Sequence, residues 1–171
     1  MAVEEFRDGG YLPEAVLNYL ALLGWGPGDE QEVFDREELV ARFDLDHVTH
    51  SAAVFDHKKL DWINGEWIRR LPDDELVQRT LPFLDRSVAA AVSAGAVVRT
   101  PDAQALTDLL PLVRERLPRL DAIGPLVDFV FLEDIVVDPT LLVPKRWDAA
   151  TTSEGLLAAR SAIAALGEVS F

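Results

Sequence analysis

Apolar residues recur along this chain at three- and four-residue spacing, and no run alternates at period two, a pattern that predicts helices throughout. The first segment carries Leu12, Val16, Leu20 and Leu23 on one face with Tyr19 beside it. Pro13 suits a first helical position, Gly24 a left-handed stop, and Trp25 the apolar clasp beyond it. After the Gly24–Gly28 break, Asp35 and Glu38 form a capping box and Phe34 and Leu39 a hydrophobic staple, for a helix running to about Phe43. A polar connector from Asp44 to Ala53 leads to a helix capped by Asp56, which carries Leu60, Ile63 and Trp67 inward. Gly65 weakens its middle, and Asn64 and Trp62 read as packing and hydrogen-bonding residues.

Leu71-Pro72-Asp73-Asp74 marks a first domain boundary, followed by a helix from about Asp74, capped by Asp73, that Pro82 kinks or ends near Leu81. Val88 to Val98, small and apolar, predicts a separate tightly packed helix with Gly95 at its end. Thr100-Pro101-Asp102 opens the next, with the stripe Leu106, Leu109, Leu110, Val113, Leu117 and Leu120. Pro111 should kink it, and Pro118 should stop it near Leu117. Ala122 to Leu132 predicts a further apolar helix, and Thr151 with Glu154 caps a last one that buries Leu157 and Ala164 and ends at Gly167. The fold class is therefore all-α and multihelical, a bundle with a looser N-terminal portion.

Composition narrows the function. Among 171 residues there is no cysteine, which excludes disulfides, thiolate metal sites and a cysteine nucleophile. No stretch is long and apolar enough for a membrane span, and the acidic N-terminus does not read as a secretory signal, so the expected location is cytoplasmic. His47, His50 and His57 lie close together without the spacing of a metal motif. The acidic groups Asp73-Asp74-Glu75 and Glu133-Asp134 have no partner base, Ser51, Ser153 and Ser161 lack a triad context, and no phosphate loop is present. No catalytic or metal-binding residue is expected. The net charge of -14 opposes nucleic-acid binding over the whole surface, yet Lys58, Lys59, Arg69, Arg70, Arg114, Arg116 and Arg119 offer a local basic face.

Gly10 to Trp25, reading GYLPEAVLNYLALLGW, closely resembles a segment of bacterial glutamyl-tRNA synthetases, a class I family, that lies shortly after the catalytic KMSKS-type loop. That loop itself is absent. Val54 to Gly65 looks like the family's FD-x-x-KL-x-W-x-NG block, and the likeness runs on through Ile68-Arg69-Arg70 to Leu81-Pro82-Phe83-Leu84 before thinning from about Asp85. Where family members usually carry serine and then proline, this chain has Pro72 and Asp73.

The resemblance implies a piece of a longer glutamate-tRNA ligase, the catalytic domain being absent: residues 1–71 completing a stem-contact region, 72–140 a helical anticodon-binding subdomain, and 141–171 the start of a second one, truncated. It implies that the full-length enzyme attaches glutamate to tRNA-Glu with ATP and Mg, with charging of tRNA-Gln left open. This stretch would hold no cofactor, activate no glutamate alone, and bind neither DNA nor a membrane. The family carries an arginine aligned with Arg116 that contacts the third anticodon base. Arg114 is the neighbouring anticodon candidate, and Arg119, Lys58, Lys59, Arg69 and Arg70 are weaker candidates for the tRNA backbone. His47 and His50 stand where the family often has arginine or lysine, which would make contacts there pH-dependent. Taken without the resemblance, the three arginines of residues 114–119 read as a solvated face. The alternative function is a free-standing helical protein-interaction module. An upstream nucleotide-binding half in the parent gene would separate the two.

Overall fold

A computed structural model describes residues 2–48, 54–96, 99–132 and 138–166. The chain divides into two compact units, Met1–Asp134 and Ile135–Phe171. Among the described residues every regular element is a helix or a helical turn, apart from one isolated bridge between Trp25 and Val48.

The first unit holds α1 (Val3–Asp8), α2 (Pro13–Leu22), α3 (Arg36–Arg42), α4 (His57–Arg70), α5 (Asp73–Ser93), α6 (Ala103–Val113) and α7 (Ile123–Val127). Its main core joins Leu12, Ala15 and Tyr19 to Leu60, Ile63, Ile68, Leu76, Leu84, Leu106, Leu110, Leu117 and Ile123. Ile68, Leu71 and Leu76 belong to that one core, so Leu71–Pro72 is not a break between compact units. Trp25, Phe34 and Leu39 form a smaller cluster under α3.

Several elements form as their residues dictate. Glu38 N–H donates to Asp35 Oδ1 at 2.7 Å and Asp35 N–H to Glu38 Oε2 at 2.9 Å, which closes the capping box of α3 over the buried staple pair Phe34 and Leu39. Asp56 accepts from the amides of Lys58 and Lys59 and so starts α4. Beyond the end of α5, Gly95, with φ of +94°, supplies the left-handed residue while Ala96 N–H reaches back to the Ala91 carbonyl.

Elsewhere the chain departs from the pattern. On α2 the buried residues are Ala15, Asn18 and Tyr19, while Leu20 is 51% exposed; the buried face is rotated toward α4. Gly24 is not left-handed, since the only described positive φ values are at Gly10, Gly28 and Gly95, and Trp25 N–H closes the turn onto the Ala21 carbonyl. α5 runs through Pro82 as one helix instead of two. The missing donor of Pro82 lies on an exposed edge, and Leu76, Val77 and Thr80 before it and Leu84 and Val88 after it are all buried, so packing holds both halves in line. The first residue of α5 is Asp73, with Pro72 at the cap.

Asp102, not Thr100, caps α6 by accepting from Ala105 N–H at 2.7 Å. Beyond Val113 the chain tightens into a 3-10 turn, Arg114–Arg116, and Leu117 is extended ahead of Pro118. The expected helix from Ala122 shrinks to the five residues of α7 and a 3-10 turn, Asp128–Val130. Gly124 lies tightly against α5: a Cβ there would sit 2.1 Å from Ser87 Oγ.

In the second unit a 3-10 turn, Pro139–Leu142, precedes α8 (Ala149–Ala165). Its cap is Asp148, which accepts from Thr151 N–H at 2.7 Å, and not Thr151. Thr152 is the one buried residue of α8; Leu157 and Ala164 are exposed, so the expected buried face is not covered within the described residues. Gly167 lies outside the described residues, as do His50, Ser51, Val98, Glu133 and Asp134.

Candidate nucleic-acid interface

The site is built where α4 meets the 3-10 turn after α6. Two buried asparagines hold this region together. Asn64, on the inner face of α4, accepts from Leu12 N–H at 2.8 Å and donates to the Pro118 carbonyl at 2.6 Å. It therefore ties the start of α2 to the chain just beyond Arg116. Asn18 accepts from Phe34 N–H at 3.0 Å and from Trp67 Nε1–H at 3.3 Å, and donates to the Glu32 carbonyl at 3.0 Å. Gly10 lets the N-terminal segment dock on the other side of the turn. Its φ is +78°, and a Cβ would lie 2.4 Å from Asp121 N, while Leu120 N–H donates to its carbonyl.

Between Trp62, Gly65 and Arg69 of α4 and Glu115, Arg116, Leu117 and Pro118 opens a cleft of about 270 Å³, with Asp61 at its edge. A Cβ at Gly65 would meet the Leu117 carbonyl oxygen at 3.5 Å, an ordinary contact, and the end of the Arg69 side chain at 3.3 Å.

The basic residues expected to form one face are sorted by this geometry. Arg114 is engaged: its Nη2 donates to the Leu71 carbonyl at 3.1 Å and to Asp73 Oδ1 at 2.7 Å, which links the 3-10 turn to the start of α5. Arg119 pairs with Asp121 at 3.0 Å and Asp61 at 3.4 Å, and its guanidinium sits 5.5 Å from the Tyr11 ring centroid. Hydrogen bonding to Asp121, opposed by burial and helped by Tyr11, holds that guanidinium above its ordinary pKa. Burial raises the Tyr11 hydroxyl, as does its 2.6 Å hydrogen bond to Asp61. Arg69 pairs with Glu66 and approaches Glu115 at 3.8 Å. Lys59 pairs with Glu32 at 2.5 Å, and Arg70 lies over the Trp67 ring.

Lys58 is exposed with no side-chain partner among the described residues, but it stands at the opposite end of α4 from Arg69, roughly 16 Å away along the axis. Arg116 is different. It is exposed, lines the cleft, and has no hydrogen bond or ion pair among the described residues. The turn thus presents one free guanidinium between two committed ones, and sequence spacing alone could not separate the three. Arg114 and Arg116 do not flank a helical stripe as expected, because both lie on the 3-10 turn past the end of α6.

His47 pairs with Asp44 at 3.1 Å, and among the described residues no group of three or more His, Cys, Asp or Glu side chains is arranged to hold a metal ion. Trp62 departs from the packing role read from its position: it is 45% exposed. On the far side of α2 an open apolar cleft of about 740 Å³ is lined by Leu17, Leu20, Val40 and Phe43, with Trp25 and Leu39 beside them. Leu12 itself is buried and Trp67 half-buried.

Comparison with known proteins finds relatives of one kind. Residues 1–62 match the family model for class I tRNA synthetases (E and Q), catalytic domain, which puts under a catalytic-domain model a stretch that the resemblance placed in a stem-contact region. The chain is 38% identical over 162 residues to a glutamate–tRNA ligase of Dehalococcoides mccartyi strain CBDB1, covering 95% of this chain and 32% of that protein. It is 43% identical over 169 residues to the glutamate–tRNA ligase of Roseiflexus castenholzii, covering 97% of this chain and 32% of that protein. Among solved structures, the glutamate-tRNA synthetase of Elizabethkingia anophelis aligns with a TM-score of 0.62 at 26% identity, over 87% of this chain and 26% of that one. The chain spans about a third of the length of the curated relatives it matches.

Proposed function

We propose that this chain, whose sequence belongs to the glutamate–tRNA ligase family, is a tRNA-binding portion of such an enzyme, with the 3-10 turn around Arg116 directed at the anticodon. The observation that carries this reading is the unpaired Arg116 on a turn that is otherwise tied down. Arg114 and Arg119 fix the turn from either side, Asn64 fixes the chain beyond it, and one guanidinium is left over for an external partner. A guanidinium is a rigid fork of donors suited to a base edge, and sequence-specific RNA recognition targets unstacked loop bases.

In the parent enzyme the reaction joins glutamate to tRNA-Glu with ATP and Mg in the cytoplasm. The chemistry belongs to residues outside this stretch, and the role of residues 1–134 is to hold and position the tRNA. The limits 1–71 and 72–140 then mark functional regions, stem contact and anticodon contact, whose parts within Met1–Asp134 share one core. Residues 141–171 open a further helical subdomain. The net charge of -14 makes the interface local and its affinity strongly salt-dependent.

A gel-shift titration of the 171-residue chain with tRNA-Glu tests this. Retention at low ionic strength that weakens steeply on adding salt, with ATP–pyrophosphate exchange at background, is the expected result. Failure to retain tRNA-Glu at low salt would contradict it.

A further inference from the structure

The apolar cleft beside α2 has two matching helix stripes for walls. α2 contributes Leu17, Leu20 and Ala21, and α3 contributes Arg36, Val40 and, at its C-cap, Phe43, each set spaced to share one helix face. Val40 is 77% exposed, and Leu17, Leu20 and Phe43 are about half exposed. α3 does not need this stripe to hold its place, since Leu39 is buried beneath it and its capping box is closed. Large apolar side chains gathered on one surface, unlike the same residues scattered singly, mark an interaction site.

The charges at the two ends of the stripe indicate what covers it. Arg36 lies one turn before Val40, is exposed, and has no hydrogen bond or ion pair among the described residues, whereas Arg42 is engaged by Gln31, Asp29 and the Pro27 carbonyl. Just past Phe43 stand Asp44 and Asp46, both exposed. Asp44 is paired with His47, and the Asp46 carboxylate has no partner among the described residues. The face is therefore cationic at one end, apolar in the middle and anionic at the other end. Such a face is complementary to itself when laid antiparallel. In a two-fold contact residue i meets j while j meets i, so an axis near Val40 brings Arg36 of each copy to the Asp44–Asp46 end of the other and seats each Val40–Phe43 ridge in the other's groove between α2 and α3. A parallel arrangement would set like charges together at both ends.

We propose that this face is a self-association surface whose occupant is the same face of a second copy of the chain, related by a two-fold axis near Val40. The proposal stands apart from the tRNA-binding reading, because Arg116 lines a different cleft, against α4.

Sedimentation velocity of the 171-residue chain across the micromolar range tests it, and a monomer–dimer equilibrium is the expected result. Val40→Asp sets a carboxylate at the axis and should raise the dissociation constant by about 30-fold or more, the effect of losing a central contact, with the circular dichroism of the parent chain retained because Val40 is exposed. Arg36→Glu and Asp46→Arg, each alone, set like charges together at both ends and should weaken the dimer. An equimolar mixture of these two single variants should restore a dimer holding one copy of each, since that pairing sets opposite charges together again at both ends. A chain that stays monomeric throughout the range, or a dimer indifferent to Val40→Asp, would overturn the proposal. Charge variants that dimerise as the parent does, or a mixture that associates no more tightly than either variant alone, would overturn the antiparallel pairing on which it rests.

Discussion

Glu14 shows how a single side chain couples α2 to α5. Arg79 grips both of its carboxylate oxygens, at 3.0 and 2.9 Å, and also pairs with Glu75 one turn back on its own helix. Burial acts to raise the Glu14 carboxyl, but the hydrogen bonds and charge of Arg79 outweigh it and leave the group below its ordinary value of 4.5. A carboxyl depressed in the folded state contributes stability that is present above its unfolded pKa and is lost as pH falls through the folded one. The melting temperature should therefore be flat from about pH 7 to 5 and decline below about 4.5, and Glu14→Gln should flatten part of that decline, as thermal unfolding across pH would read. An unchanged acid limb in the variant would assign the decline to the exposed aspartates instead. The same scale shows where the sequence was mute. Asn64 was legible as a hydrogen-bonding residue. Asn18 was not, because a polar residue amid a helix reads as outward-facing, and its partners Glu32 and Phe34 lie in a loop that no local period predicts.

Pro82 carries the lesson for the elements. Local rules end or kink a helix at an internal proline, and two helices were expected where α5 is one of 21 residues. What decided the matter was a core stripe in register on both sides of the proline, which is a tertiary fact. Pro82 is exposed, so Pro82→Ala should restore one helical hydrogen bond and raise stability by about 1 kcal/mol or more. Denaturant unfolding would read the gain; a neutral or lower midpoint would mean that α5 is already bent to suit its proline. Cap positions were legible where a single acidic candidate stood before the helix, as at Asp35 and Asp56. They moved by a few residues where two candidates competed, as at Thr100 against Asp102 and Thr151 against Asp148. The rotated face of α2 has the same origin, since α2 follows α4 and not its own leucine spacing.

For the whole molecule, the all-helical class and the family likeness were readable from the chain alone, whereas the identity of the free cation was not. Only the family resemblance singled out Arg116 among the seven basic residues; composition and spacing alone did not separate them. Folding commits five of them, Lys59, Arg69, Arg70, Arg114 and Arg119, to partners within the chain, and sets Lys58 at the far end of α4 from Arg116. On the proposed function, a net charge of -14 would make specificity depend on one turn more than on a broad basic field. The most direct test is a binding titration of the chain and its Arg116→Ala variant against tRNA-Glu and against the same tRNA altered at the third anticodon base. The parent chain should prefer the unaltered tRNA, and Arg116→Ala should erase that preference at a cost on the order of 1 to 3 kcal/mol while binding the altered tRNA as the parent does. Equal weakening toward both tRNAs, or no preference in the parent chain, would contradict the account.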